Sequence, residues 1–284
     1  MFKKIGLLLL VFIAVVSLVG CGGGKKAVQI KGSDTMVNLG QSWSEEFMKK
    51  HPDIPVAVTG GGSGTGIAAL INKTTDIAEC SRNMEKKEIE IARSKGVDPY
   101  ETIVGNDGIV VVVAPENPVN KLTIQQLSDI FTGKITNWQA VGGPDKEIVA
   151  LSRDRNSGTH VFFLEHVVKL GKKGNNNEFA KGVLMMPSNQ AIVEEVSGNS
   201  AAIGYIGLGY LNDRLKAVAV GKTVAGPYIT PSIKTVGNKT YSVSRPLYMY
   251  TNGVPSGEVK TFIDFVLSDE GQKVVLDMDF VPIR

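Results

Sequence analysis

The sequence predicts an α/β fold, and three observations carry the reading. Short apolar runs alternate with amphipathic segments along the chain. A glycine-dense stretch, Gly60–Gly66, falls at an expected strand-to-helix turn. The apolar run Val104–Ala114 ends at Pro115-Glu116-Asn117-Pro118, the pattern of a buried strand leaving one domain and entering another, and Pro246–Asn252 is the expected return crossing. A chain of 284 residues suits one large or two moderate domains.

The elements follow in order. A strand over Val28–Lys31 leads to Ser33-Asp34, either of which can cap a helix over Met36–Lys50. A strand over Pro55–Thr59 meets the glycine stretch, and a helix follows over Gly64–Asn72. Asp76–Ala78 is strand-like and precedes Ser81-Arg82 and a helix over Glu85–Lys95. Ile109–Ala114 is the buried part of the crossing strand. Thr123-Ile124-Gln125-Gln126 has capping-box spacing at the start of a helix over Ile124–Thr132. A strand over Ile148–Ser152 precedes a helix over Thr159–Leu170. A helix over Asn189–Ser197, strands over Ala202–Ile206 and Leu247–Thr251, and a helix over Glu258–Leu267 complete the pattern, with no internal repeat.

Residues 1–20 read as a targeting segment. Lys3 and Lys4 precede an almost wholly apolar run, too short and wrongly flanked for a membrane span. The run ends in Leu18-Val19-Gly20-Cys21, which resembles the lipobox of bacterial lipoproteins and makes Cys21 the expected lipidation site. Residues 21–26 then form a lipidated tether, and the protein is expected on the outer face of a bacterial cytoplasmic membrane, extracellular or periplasmic. Without Lys3 and Lys4 the formal charge falls from +3 to +1. A near-neutral body argues against a nucleic-acid partner. Cys80 is the only other cysteine, so no disulfide framework or cysteine-based metal site is expected, and no cofactor.

The most informative segment is Arg153-Asp154-Arg155-Asn156-Ser157-Gly158-Thr159, a fixed cation ahead of a Ser-Gly-Thr helix start. Backbone N–H groups, two hydroxyls and a planar guanidinium make half a cradle for a small oxyanion, and Gly158 allows close approach. Three more loops are candidates for the rest: Gly32-Ser33-Asp34-Thr35-Met36, the Gly60–Gly66 turn with Ser63 as its donor, and Ser81-Arg82. The glycine run does not satisfy a dinucleotide fingerprint in its proper context.

Taken in order, these loops resemble the phosphate-binding proteins of ABC-type phosphate importers. Asp129-Ile130-Phe131-Thr132-Gly133-Lys134-Ile135-Thr136-Asn137-Trp138, Gly142-Gly143-Pro144, Ile203-Gly204-Tyr205-Ile206-Gly207 and Arg245-Pro246-Leu247-Tyr248 extend the likeness over essentially the whole mature chain. The resemblance implies a two-lobed periplasmic-binding-protein fold with two crossing hinge strands and phosphate in the cleft. One lobe would be 27–112 plus 247–284 and the other 113–246. Thr35 and Met36 (through its backbone), Ser63, Arg153, Ser157, Gly158 and Thr159 would contact phosphate. The partners would be inorganic phosphate and the permease subunits with their ATPase, and the chain would act as a monomer.

One departure bears on selectivity. Relatives carry Ser-Asp where this chain has Ser81-Arg82, and that Asp accepts the ligand's own proton, which distinguishes phosphate from sulfate. Asp107, in Asn106-Asp107-Gly108, is the nominated replacement, paired with Arg82; Asp34 is its competitor. Arg155 departs too and is expected at the cleft rim. The function expected is high-affinity phosphate binding and delivery to an import permease. Binding of another tetrahedral oxyanion, or phosphate sensing, is the alternative. A hydrolase built on Ser157 and His160 lacks an acid to orient the base, so the chain is not expected to be an enzyme.

Overall fold

The computed structural model describes residues 26–283. The targeting segment, Cys21 and most of the tether lie outside these residues. Twelve strands are named β1 (Val28–Gly32), β2 (Val56–Thr59), β3 (Ile77–Cys80), β4 (Pro99–Val113), β5 (Lys121–Thr123), β6 (Val149–Arg153), β7 (Leu184–Met186), β8 (Ala202–Gly207), β9 (Lys216–Ala217), β10 (Ala219–Gly221), β11 (Tyr228–Ile229) and β12 (Ser244–Asn252). The helices used below are α1 (Val37–Lys50), α2 (Ser63–Ile71), α3 (Lys86–Ser94), α4 (Ile124–Phe131), α5 (Gly158–Phe163) and α6 (Asn189–Gly198).

The main sheet has the order β2-β1-β3-β12-β4-β8-β6-β7. At one end β2, β1 and β3 are parallel, and at the other β8, β6 and β7 are parallel. Between them β12 and β4 form an antiparallel ladder. Strand β4 pairs with β12 up to Gly108 and with β8 from Ile109, so a single strand passes from one half to the other. A register shift between Leu247 and Tyr248 bends β12 within the first half.

Two lobes follow from how the apolar faces are buried. On the β2-β1-β3 side, Val104, Leu247 and Met249 of the crossing strands pack with Trp43 and Phe47 of α1 and with Phe262. A smaller cluster on the opposite face joins Ala78 and Cys80 to Ile67 and Leu70 of α2. On the β8-β6-β7 side, Ile109–Val113 pack with Phe131, Phe163, Ile203 and Tyr205. Burial on both faces explains why the run at 109–113 shows no polar alternation. The two buried tryptophans are satisfied across the chain: Trp43 donates to the Gly271 carbonyl at 2.8 Å and Trp138 to that of Ala201 at 2.9 Å.

Most expected elements occur within a few residues of their expected bounds. The capping box at Thr123 is present, with the hydroxyl accepting from the Gln126 N–H and the Gln126 side chain accepting from the Thr123 N–H. The helix expected over Thr159–Leu170 is instead α5 followed by a π-helical turn over Leu164–Val168. Neither Ser33 nor Asp34 caps the first helix through its side chain. No helix among the described residues is long and apolar enough to cross a membrane.

Candidate functional site

Four strand ends converge where the lobes meet. The loop after β1 carries Ser33, Asp34 and Thr35; Ser63 opens α2; Ser81 follows β3; and the segment after β6 carries Arg153 to Thr159. Thr35 and Thr159 are buried, and their hydroxyl oxygens lie 2.8 Å apart across the cleft. Ser63 Oγ accepts from the Ser81 N–H at 3.0 Å, and Ser33 Oγ donates to Ser81 Oγ at 2.9 Å. Gly158 lies against this cluster: a Cβ there would come within 2.4 Å of Ser63 Oγ and 2.6 Å of Ser81 Oγ. Ser157 caps α5, its Oγ accepting from the N–H groups of Thr159 at 3.2 Å and His160 at 3.4 Å. The structure thus brings Thr35, Ser63, Ser81, Ser157, Gly158 and Thr159 to one place where the lobes meet.

Arg153 is almost fully buried at the end of β6. Its Nε donates to the Met186 carbonyl at 3.3 Å and its Nη2 to that of Pro187 at 3.0 Å, while Nη2 lies 3.1 Å from Asp34 Oδ2. Its Nη1 has no partner among the described residues. Burial lowers its pKa, opposed chiefly by Asp34. The brace for Arg153 therefore comes from Asp34 across the cleft and not from its neighbour Asp154. Arg155 is exposed.

The sequence reading missed a second buried cation, Arg245 on β12. It faces Asp107 on β4 because the β4–β12 register pairs these two positions directly. Arg245 Nε and Nη2 reach Asp107 Oδ2 at 3.2 and 2.9 Å, and Nη2 also donates to Thr159 Oγ1 at 2.8 Å. Its Nη1 likewise has no partner among the described residues. Burial lowers its pKa, Asp107 raises it, and the positive charge of Arg153 acts in the same sense as burial. The Leu208 N–H donates to Asp107 Oδ1 at 3.0 Å. Burial raises the Asp107 pKa, and Arg245 is the largest opposing influence.

The expected Arg82–Asp107 pair does not form. Arg82 makes a two-pronged contact with Glu88, both distances 2.8 Å, and also donates to the Asn83 carbonyl at 2.9 Å. Glu88 is the third residue of α3 and belongs to its capping box with Glu85, so Arg82 is claimed by the helix that follows it. The Met36 N–H donates to the Ser33 carbonyl at 3.0 Å, closing the turn over Asp34–Met36. His160 does not face Ser157. Its Nδ1 lies 3.0 Å from Ser152 Oγ, which lies 2.6 Å from the Tyr205 hydroxyl, and burial lowers the His160 pKa.

Chemically, the site sets two buried guanidinium groups, each with an Nη1 unmatched by protein, beside a ring of Ser and Thr hydroxyls. Buried donors without partners call for an acceptor, and planar guanidinium donors favour an oxyanion. No group of His, Cys, Asp and Glu suited to a metal occurs among the described residues.

Comparison with known proteins points the same way. A model of the PBP superfamily domain matches residues 21–270. The phosphate-binding protein PstS of Staphylococcus saprophyticus is 34% identical over 281 residues, covering 93% of this chain and 85% of that protein. Among solved structures, a putative phosphate ABC transporter substrate-binding protein with bound phosphate from Clostridium perfringens superposes with a TM-score of 0.81 at 32% identity, covering 91% of this chain and 100% of that one. An ABC-type phosphate transport receptor from Vibrio cholerae superposes with a TM-score of 0.71 at 29% identity, covering 89% and 99%.

Proposed function

This chain belongs to the PBP superfamily and, within it, to the family of the phosphate-binding proteins PstS, and from that premise we propose that it binds inorganic phosphate outside the cytoplasmic membrane and delivers it to an ABC-type import permease. The observation that carries the reading is the pair of buried arginines, Arg153 and Arg245, each with a buried Nη1 that has no partner among the described residues, one beside Asp34 and the other beside Thr159. Thr35, Ser63, Ser81, Arg153, Ser157, Gly158, Thr159 and Arg245 form the proposed shell. The backbone of Met36, next to Thr35, belongs to the proposed shell as well, while Arg82, paired with Glu88, stands outside it. Asp107, held beside Arg245, is the proposed acceptor of the ligand's proton. A buried acceptor that sulfate cannot satisfy rejects it by roughly 10⁴-fold or more.

β4 changes partner between Gly108 and Ile109, and β12 begins opposite that point at Ser244, ahead of the expected boundaries at 112 and 246; we propose these two crossing strands as the hinge. Lipidation at Cys21 would hold the protein, as a monomer, at the outer membrane face. The chain delivers its ligand unchanged and is not an enzyme.

The test is equilibrium dialysis of the purified protein with labelled phosphate, challenged by arsenate, sulfate and molybdate, beside a phosphomonoester hydrolysis assay. Saturable phosphate binding that sulfate does not displace supports the reading. Preferential displacement by sulfate or molybdate would assign another oxyanion, and turnover lost in Ser157→Ala would assign an enzyme.

A further inference from the structure

Asp34 lies in the loop after β1, yet every partner of its carboxylate belongs to the other lobe. Its Oδ2 accepts from the Asn189 backbone N–H at 2.9 Å and from Asn189 Nδ2 at 2.7 Å, and lies 3.1 Å from Arg153 Nη2. The Tyr210 hydroxyl, also from that lobe, donates to the Asp34 carbonyl at 2.7 Å. Asn189 is fully buried and is held from its far end, where its Oδ1 accepts from the Gly207 N–H at 3.1 Å.

The arrangement uses two favourable features at once. Asn189 is the first residue of α6, so the carboxylate meets the positive end of a ten-residue helix. The same oxygen neutralises part of the Arg153 charge. These are charge-assisted hydrogen bonds, about twice as strong as neutral ones. All of them span the cleft, and all would be lost on opening.

We infer that Asp34 is a closure latch. It joins the lobes through Asn189 and Arg153, holds Arg153 in its binding orientation, and favours the closed form before any anion arrives. The inference rests on the phosphate reading for its kinetic consequence, but the latch itself concerns only the two lobes. Affinity for the ligand scales with the population of the competent form. Removing the latch therefore weakens binding, chiefly by speeding release.

The experiment compares wild type with Asp34→Ala and Asn189→Ala by small-angle X-ray scattering, without ligand and with saturating inorganic phosphate. Stopped-flow dissociation of phosphate is measured on the same proteins. The expected result is a larger ligand-free radius of gyration for both variants, a return to the wild-type value at saturating phosphate, and phosphate release faster by roughly tenfold or more. That return separates a latch from general damage, which phosphate would not reverse. Ligand-free scattering identical to wild type in both variants, or an unchanged release rate, would overturn the latch. Should wild type bind no phosphate at all, the functional reading fails, while the ligand-free comparison still decides the latch.

Discussion

Arg245 and Asp107 face one another in the β4–β12 ladder, and the Arg245 Nη2 that reaches Asp107 at 2.9 Å also reaches Thr159 at 2.8 Å in the other lobe. One guanidinium thus ties the crossing strands to the anion-facing hydroxyls. Both partners of the ion pair are buried, so deleting one strands the other. Arg245→Met is expected to cost about 3–5 kcal/mol of stability and to abolish phosphate binding. Adding Asp107→Leu to that variant is expected to restore much of the melting temperature without restoring binding. Thermal denaturation and calorimetric titration separate the two effects.

Gly158 stands where the lobes come closest. A methyl group there would fall 2.4 Å from Ser63 Oγ and 2.6 Å from Ser81 Oγ, across the interlobe contact. Relief requires the two serine hydroxyls to give up their present rotamers and hydrogen bonds, or the lobes to part. Gly158→Ala is expected to weaken phosphate binding by roughly 100-fold, about 2.8 kcal/mol. The ligand-free melting temperature should fall no further than loss of the Asp34 bonds across the cleft accounts for, because neither lobe's own packing is disturbed.

Glu79 on β3 is fully buried, and neither carboxylate oxygen has a hydrogen-bond partner among the described residues. Gly40 of α1 makes room for it: a Cβ at that position would lie 2.6 Å from Glu79 Oε1. Gly→Ala inside a helix ordinarily gains up to about 1 kcal/mol. Here Gly40→Ala is expected to destabilise by about 1–3 kcal/mol, and to revert to the ordinary gain in a Glu79→Ala background. A double-mutant cycle by urea denaturation checks the coupling.

The same carboxyl makes stability depend on pH. Burial holds the Glu79 pKa well above its ordinary value. Below the ordinary value, folded and unfolded chains both keep the proton. As the pH rises past it, the unfolded chain releases the proton and the folded chain does not. Folded stability from this group therefore falls, by at most about 1.4 kcal/mol per pH unit, until the buried group itself ionises. Glu79→Gln cannot titrate. Its melting temperature relative to wild type is expected to rise between about pH 4 and pH 7, and a flat difference would contradict the assignment.

Arg82 is expected to matter for the first lobe and not for the ligand. Arg82→Gln removes a two-pronged contact with Glu88, at a cost of about 1.5–3 kcal/mol for bonds to a charged group. Phosphate affinity is expected to be unchanged. A loss of affinity without a loss of stability would return Arg82 to the site.

What could be read from the sequence was what is local. Ser157, Gly158 and Thr159 lie within one helix start, and Thr35 and Ser63 within single strand-to-helix turns. Arg245 was hidden because its role depends on a strand register linking it to Asp107, 138 residues away. The quoted run Arg245-Pro246-Leu247-Tyr248 held the signal: a cation on one crossing strand and an acid on the other. The Arg82 error had a local remedy. Glu85 and Glu88 have capping-box spacing at the start of α3, which places a carboxylate within reach of Arg82. Asp34 reads in the sequence as a cap or a proton acceptor, and nothing near it shows that its partners lie across the cleft at Asn189 and Arg153.

Arg153 and Arg245 are proposed to grip one anion between them, and a crystal structure of the protein grown with phosphate decides this. A phosphate is expected within hydrogen-bond reach of both guanidinium groups, of the Thr35 and Thr159 hydroxyls, and of Asp107 through the ligand's proton. A phosphate bound elsewhere, or one that touches Arg153 while Arg245 stays turned wholly to Asp107, would contradict it.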